Sequence, residues 1–132
     1  MSNAFVPHKN AAIVRYQVTD LERSLRFYTD QLGFRLVQRA GPVFITTRGD
    51  LHVLLSSPDA SGGRPMPDGA KQEPGGWNRI VLYVDDLDTS IAALERAHAH
   101  LRNAIESGPG GRQILIDDPD GNPIELHEAP KQ

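Results

Sequence analysis

"VTDLERSL", Val18 to Leu25, and "VDDLDTSI", Val84 to Ile91, stand 66 residues apart and repeat one pattern. Val18 matches Val84, Asp20 matches Asp86, Leu21 matches Leu87 and Ser24 matches Ser90. An apolar run leads into each, "AAIVRYQV" and "RIVLYV", rich in the β-branched and aromatic residues that suit a strand. The period then changes. Asp20 and Asp86 sit where a helix N-cap belongs, because a short carboxylate accepts bonds from the first free backbone N–H groups. After Asp20, the residues Leu21, Leu25, Tyr28 and Leu32 fall on one helical face, and Gly33 supplies a stop. After Asp86, Leu87, Ile91, Leu94 and Leu101 predict a second helix. Its end is open, since His98 and His100 stand where a glycine would close it.

Strand-like sequence follows each helix: "FRLVQRA", "VFITTR" and "LHVLLSS" in the first half, "NAIES", "RQILIDD" and "PIELHE" in the second. The chain therefore reads as an α+β protein of two tandem βαβββ modules, residues 11–57 and 77–129. A leader, 1–10, and a tail, 130–132, flank them. The "SNA" after Met1 has the look of a tag remnant, and residues 1–4 carry no structural weight. Between the modules, "PDASGGRPMPDGAKQEPGG" (58–76) is too rich in glycine and proline for regular structure. A linker explains it, and a lid over a pocket is the alternative, since long loops often carry function.

Composition narrows the function classes. The chain has 132 residues, 39% of them hydrophobic, and a net charge of −3. This acidic balance gives no electrostatic case for nucleic acid or an anionic membrane. With no cysteine, disulfides, thiolate nucleophiles and zinc–thiolate sites are excluded, which fits a reducing cytoplasm. No apolar run approaches the roughly 18 residues of a membrane span, and the N-terminus lacks a signal-peptide core.

The two modules, each opening on V-x-D-L-x-x-S, resemble the vicinal oxygen chelate superfamily, which holds glyoxalase-type lyases, extradiol dioxygenases, fosfomycin-resistance enzymes and bleomycin-resistance proteins. "FYTDQLGF" and "DDPDGNPIEL" match that family's helix end and last hairpin, so the likeness spans about residues 11 to 129. It implies curved mixed sheets around a cleft, a small-molecule ligand and a homodimer. Metal-dependent relatives carry a histidine on each module's first strand and a glutamate on its last. Such ligands hold a divalent ion (Zn, Ni, Mn or Fe) that acts as a Lewis acid.

Carried over residue by residue, the pattern thins out. The histidine positions, five residues before the valine of each motif, fall on Ile13, which has no donor atom, and on Arg79, a permanent cation. The second glutamate is Glu125, between Ile124 and Leu126. The first falls at Val53 or Leu54, depending on hairpin register. At most one usual ligand remains, so no metal cofactor is favoured. A rebuilt site of Glu125, His52 and His127 is the alternative, set against the reading of both histidines as plain strand residues. A guanidinium about 4 Å from a divalent ion would repel it by about 8 kcal/mol at an effective dielectric of 20. A simpler arrangement pairs Arg79 with Glu125 across the module interface, leaving a planar donor for carboxylate or phosphate; an Arg79 reaching water is the competing reading.

Trp77, Tyr16, Phe44 and Tyr83 could line an aromatic cavity, or they are ordinary core. "SGPGGRQ" (107–113) is a hairpin rather than a phosphate loop, since no helix follows. His8, His98 and His100 read as solvated. Two functions follow. One is a metal-independent binding protein of the bleomycin-resistance kind, with Arg79, Trp77, Tyr16, Phe44 and His127 at its ligand. The other is a lyase or dioxygenase with Glu125 as metal ligand or general base and Arg79 stabilising an oxyanion.

Overall fold

A computed structural model describes residues 5–131, so the tag remnant expected at residues 1–4 lies outside the described residues. The chain divides between Pro74 and Gly75 into two compact units. In the first, β1 (Ala12–Gln17) leads into α1 (Leu21–Leu32), followed by β2 (Arg35–Ala40), β3 (Val43–Arg48) and β4 (Leu51–Ser56). The sheet runs β1-β4-β3-β2, with β1 parallel to β4 and the other pairs antiparallel. The Asp20 side chain accepts from the Arg23 N–H at 3.0 Å, and Gly33 ends α1 at φ 73°, a left-handed conformation that costs glycine nothing. Both caps stand where the sequence puts them.

Register decides which side chains meet the helix. Val14 pairs with Val53, Tyr16 with Leu55 and Phe44 with Leu55, so these residues share one face. Tyr16 meets Tyr28 of α1 edge to face at 6.4 Å between ring centroids. Tyr16 and Phe44 are both buried on this helix-facing side, among the core residues. The opposite face carries Ile13, Arg15 and Gln17 beside His52, Leu54 and Ser56. Part of the linker folds back onto this unit. A single 3-10 turn, Ser61–Gly63, interrupts its irregular course, and Gln17 Nε2 donates to the Gly62 carbonyl at 2.9 Å.

The second unit repeats the plan: β5 (Ile80–Tyr83), α2 (Leu87–Arg96), β6 (Glu106–Gly108), β7 (Gly111–Asp117) and β8 (Pro123–Glu128), in the order β5-β8-β7-β6. Asp86 caps α2 through the Thr89 N–H at 3.3 Å. The helix is shorter than its apolar spacing predicts. His98 takes the left-handed conformation, φ 59°, just after the last turn, doing glycine's work. Leu101 is therefore not on the helix but in an isolated bridge to Ile116. The strand expected in "NAIES" is instead Glu106–Gly108, and ahead of it the Asn103 side-chain carbonyl accepts from the Leu115 N–H at 2.9 Å. The helix is fastened to the sheet from below. Glu128, buried at the end of β8, accepts from the Leu87 N–H at 2.7 Å and pairs with Arg112 at 3.1 Å.

The turn "DDPDGN" fixes the start of β8. Asp118 Oδ1 accepts from the backbone N–H groups of Asp120 and Asn122, each at 2.9 Å, and Asn122 Oδ1 accepts from the Gly75 N–H at 2.9 Å. These buried polar groups are satisfied by one another, the condition for burying them at all.

Candidate functional site

Strand β8 lies between β5 and β7, and its residues alternate. Ile124, Leu126 and Glu128 turn to the α2 side, so Glu125 and His127 occupy the other face. Glu125 stands opposite Val81 on β5 and Leu115 on β7 and is buried. A buried carboxylate between apolar neighbours needs partners on both oxygens. Arg79, just before β5, supplies the first: its Nε and Nη2 donate to Oε1 at 3.2 and 3.0 Å. His127 supplies the second, with Nδ1 3.1 Å from Oε2.

The far nitrogen of His127, Nε2, is 2.8 Å from the carbonyl oxygen of Gly110 in the β6–β7 turn. Both ring nitrogens thus face oxygens that only accept. A neutral imidazole has a single N–H, so only the imidazolium satisfies both contacts. Its pKa is correspondingly raised, first by the Gly110 carbonyl and then by the Glu125 carboxylate. The Tyr83 ring lies 4.8 Å from the imidazole, tilted by 33°. Beside His127 is a shallow pocket of about 280 Å³, walled by Glu106, Ser107, Gln113 and the glycine turn.

The expected ion pair between Arg79 and Glu125 is present, with one correction. It is made inside the second unit, between the residue that precedes β5 and the adjacent strand β8, and not across the module interface. Arg79 also donates to the Trp77 carbonyl at 3.4 Å. Trp77 itself is 71% exposed, with the Arg102 guanidinium 4.9 Å from its ring centroid. The register resolves the glutamate position of the first unit. Val81 faces Glu125 as Arg15 faces Leu54, so Leu54 is the counterpart, and it has no ligating atom. His52 shares Leu54's face, but its ring packs on Phe5 at 5.1 Å, and its Nδ1 is buried without a hydrogen-bond partner.

Among the described residues, no three His, Asp or Glu side chains gather as a cation site. A divalent ion at Glu125 would lie beside the Arg79 guanidinium, which repels it and already occupies one carboxylate oxygen, so this donor set does not fit a divalent metal. Arg102 carries no motif in the sequence, and Gly110 belongs to the "SGPGGRQ" hairpin, whose contact with His127 the sequence does not show. Both act through contacts between segments far apart in the chain.

The fold agrees with comparisons to known proteins. A profile of the Glyoxalase/Bleomycin resistance protein/Dioxygenase superfamily matches residues 11–126. A lactoylglutathione lyase of Haemophilus influenzae is 31% identical over 119 residues, covering 85% of this chain and 87% of that protein. A crystal structure of a member of the same superfamily from Sphaerobacter thermophilus superposes with a TM-score of 0.73 at 28% identity, covering 92% of this chain and 98% of that one. TnmS3, an antibiotic binding protein from Streptomyces sp. CB03234, shares the fold, with a TM-score of 0.69 at 24% identity over 96% of this chain and 100% of its own.

Proposed function

This chain belongs to the Glyoxalase/Bleomycin resistance protein/Dioxygenase superfamily, and on that premise we propose that it is a metal-independent small-molecule binding protein whose ligand carries an acidic group. One observation carries the reading. Both oxygens of Glu125, the one usual ligand still present, are engaged by Arg79 and His127. The cluster sets the permanent cation of Arg79, and a ring whose hold on a proton is strengthened, against a single carboxylate. A guanidinium that spends two donors on one carboxylate oxygen keeps other N–H groups for a carboxylate or phosphate.

Two measurements test it. Elemental analysis of purified protein, followed by calorimetric titration with Zn²⁺, Ni²⁺, Mn²⁺ and Fe²⁺, should give no stoichiometric uptake. Titration with benzoate and inorganic phosphate should show binding that Arg79→Ala weakens by about tenfold or more, the scale of a charge-assisted hydrogen bond. Stoichiometric metal that disappears in Glu125→Ala would overturn the reading.

Similarity to the lactoylglutathione lyase favours a second reading, an enzyme. Here Glu125 acts as general base or metal ligand and Arg79 stabilises an oxyanion, in lyase or dioxygenase chemistry. A lyase assay in which Glu125→Gln abolishes turnover would establish it over the first. We further propose a homodimer in the cytoplasm. The absence of cysteine is consistent with that compartment, and no helix among the described residues is long and apolar enough to cross a membrane. Light scattering coupled to size exclusion tests the dimer directly.

A further inference from the structure

Arg102 lies in the connection after α2, and each of its three guanidinium nitrogens has a partner. Nε pairs with Asp117 Oδ1 at 2.6 Å, Nη1 donates to the Gly76 carbonyl at 2.8 Å, and Nη2 donates to the Gly121 carbonyl at 3.0 Å. One cation thus ties together the approach to β5, the end of β7 and the β7–β8 turn. Its Cζ lies over the Trp77 ring, 4.9 Å from the centroid. The direction in which this pair points follows from the ladder. Leu101 bridges Ile116, while the Arg102 N–H donates to the Leu115 carbonyl and the Asp117 N–H to the His100 carbonyl. Leu101 therefore turns with Ile116 towards the α2 side. Arg102 turns with Leu115 to the face that carries Glu125.

An indole left 71% exposed gains little from burial, yet here it is held by a guanidinium that is itself fixed at three points. The contact offsets the entropy of ordering the ring and leaves a pre-ordered aromatic surface open to a ligand. Trp77 is also joined to the charged cluster, because its carbonyl accepts from Arg79 Nη1 at 3.4 Å. Ring and guanidinium therefore belong to one short segment, residues 77–79, leading into β5. That neighbourhood suits a molecule in which an anionic group is attached directly to an aromatic ring.

We propose that Trp77 is the aromatic half of the ligand site, that Arg102 is the positioning residue that holds it, and that the ligand is a planar aromatic acid. The proposal rests on reading the Arg79–Glu125–His127 cluster as the ligand's anionic subsite, and the test separates the two. Trp77 is the single tryptophan in the chain, so its fluorescence anisotropy reports this ring alone.

Calorimetry uses three probes: 2-naphthoate, its uncharged counterpart 2-naphthamide, and cyclohexanecarboxylate, an anion without an aromatic ring. Wild type should prefer 2-naphthoate to each of the others. Arg102→Met should lower Trp77 anisotropy and weaken 2-naphthoate by about fivefold, the scale of an aromatic stacking contact, while leaving cyclohexanecarboxylate unchanged. Arg102→Lys keeps the charge but not the planar fork and should fail likewise. Should the Arg102 variants fold poorly, Trp77→Leu at an exposed position provides the same loss, and Trp77→Phe should retain most of the affinity. If Arg79→Ala abolishes 2-naphthoate binding while Arg102→Met and Trp77→Leu stay within twofold of wild type, the anionic subsite stands and this proposal is overturned. If no anionic probe binds wild type, the underlying reading is overturned and this one with it.

Discussion

His127 shows how much a single ring can be made to decide. Its two nitrogens face Glu125 Oε2 and the Gly110 oxygen, so the folded protein holds the proton more tightly than the unfolded chain, whose histidine titrates near 6.5. A raised folded pKa contributes stability that is fully present below that ordinary value and is lost as pH rises through the folded one. The expected outcome is a fall in melting temperature from pH 6 towards pH 8 that is steeper in wild type than in His127→Gln; equal slopes would refute the doubly bonded imidazolium. The carboxylates Glu22, Asp86 and Glu128 are shifted down, by Arg39, Thr89 and Arg112 respectively, and their contribution is lost only as pH falls through the acid range. The two windows do not overlap, so the histidine can be read by itself. Counting from the repeated motif was enough to bring Arg79 and Glu125 together, and period-two alternation was enough to add His127. The same alternation could have removed Tyr16, which shares the parity of Val14 and Val18 and so belongs to the helix-facing core. Arg102 was not legible, because its three partners lie 15 to 26 residues away and leave no periodic trace.

At the scale of elements, the caps carried most of the legible fold. Asp20 and Gly33 bracket α1 at the positions their chemistry dictates, and Asp20→Ala should destabilise the protein by about 1 kcal/mol in urea denaturation, the ordinary loss of an N-cap. Helix α2 was harder to read at its far end. The apolar spacing runs on through Leu94 to Leu101, but the backbone leaves the helix after Arg96. Its left-handed residue is the exposed His98, which the sequence does not flag as a stop. A side chain in that conformation costs about 1–2 kcal/mol, and a glycine there forfeits about 0.5–1 kcal/mol of chain entropy. The first outweighs the second, so His98→Gly should stabilise the protein by about 0.5 kcal/mol, and a lower urea midpoint would contradict the strain argument. Gly111 makes the opposite case. At φ 116° a Cβ would run into the Glu128 carbonyl, so Gly111→Ala forces β7 and β8 apart, beneath the carboxylate that caps α2. It should leave little soluble folded protein.

Across the whole molecule the repeat built two sheets of matching order and filled them unequally. Val14 and Tyr16 pair with Val53 and Leu55 in the first unit as Ile80 and Leu82 pair with Ile124 and Leu126 in the second. The helix-facing sides are therefore equivalent, and apolar periodicity sufficed to reveal both. The opposite faces have diverged, with Ile13 and Leu54 in the first unit against Arg79 and Glu125 in the second, and that difference becomes informative only once the register is known. Equivalence of the cores can be measured. Leu55 is 0% exposed and Leu126 is 2% exposed, so truncating either removes the same number of carbons from a closely packed site. Leu55→Ala and Leu126→Ala should each cost about 2–5 kcal/mol, lost transfer energy plus the cavity left behind. Against a total stability of about 5–15 kcal/mol, either loss is large enough to read by circular dichroism in urea. Similar losses are expected because each leucine stands on the strand beneath its own helix, between neighbours on both sides. A cost below about 1 kcal/mol at either site would mean that its unit collapses around the gap, and that shared register does not carry shared packing.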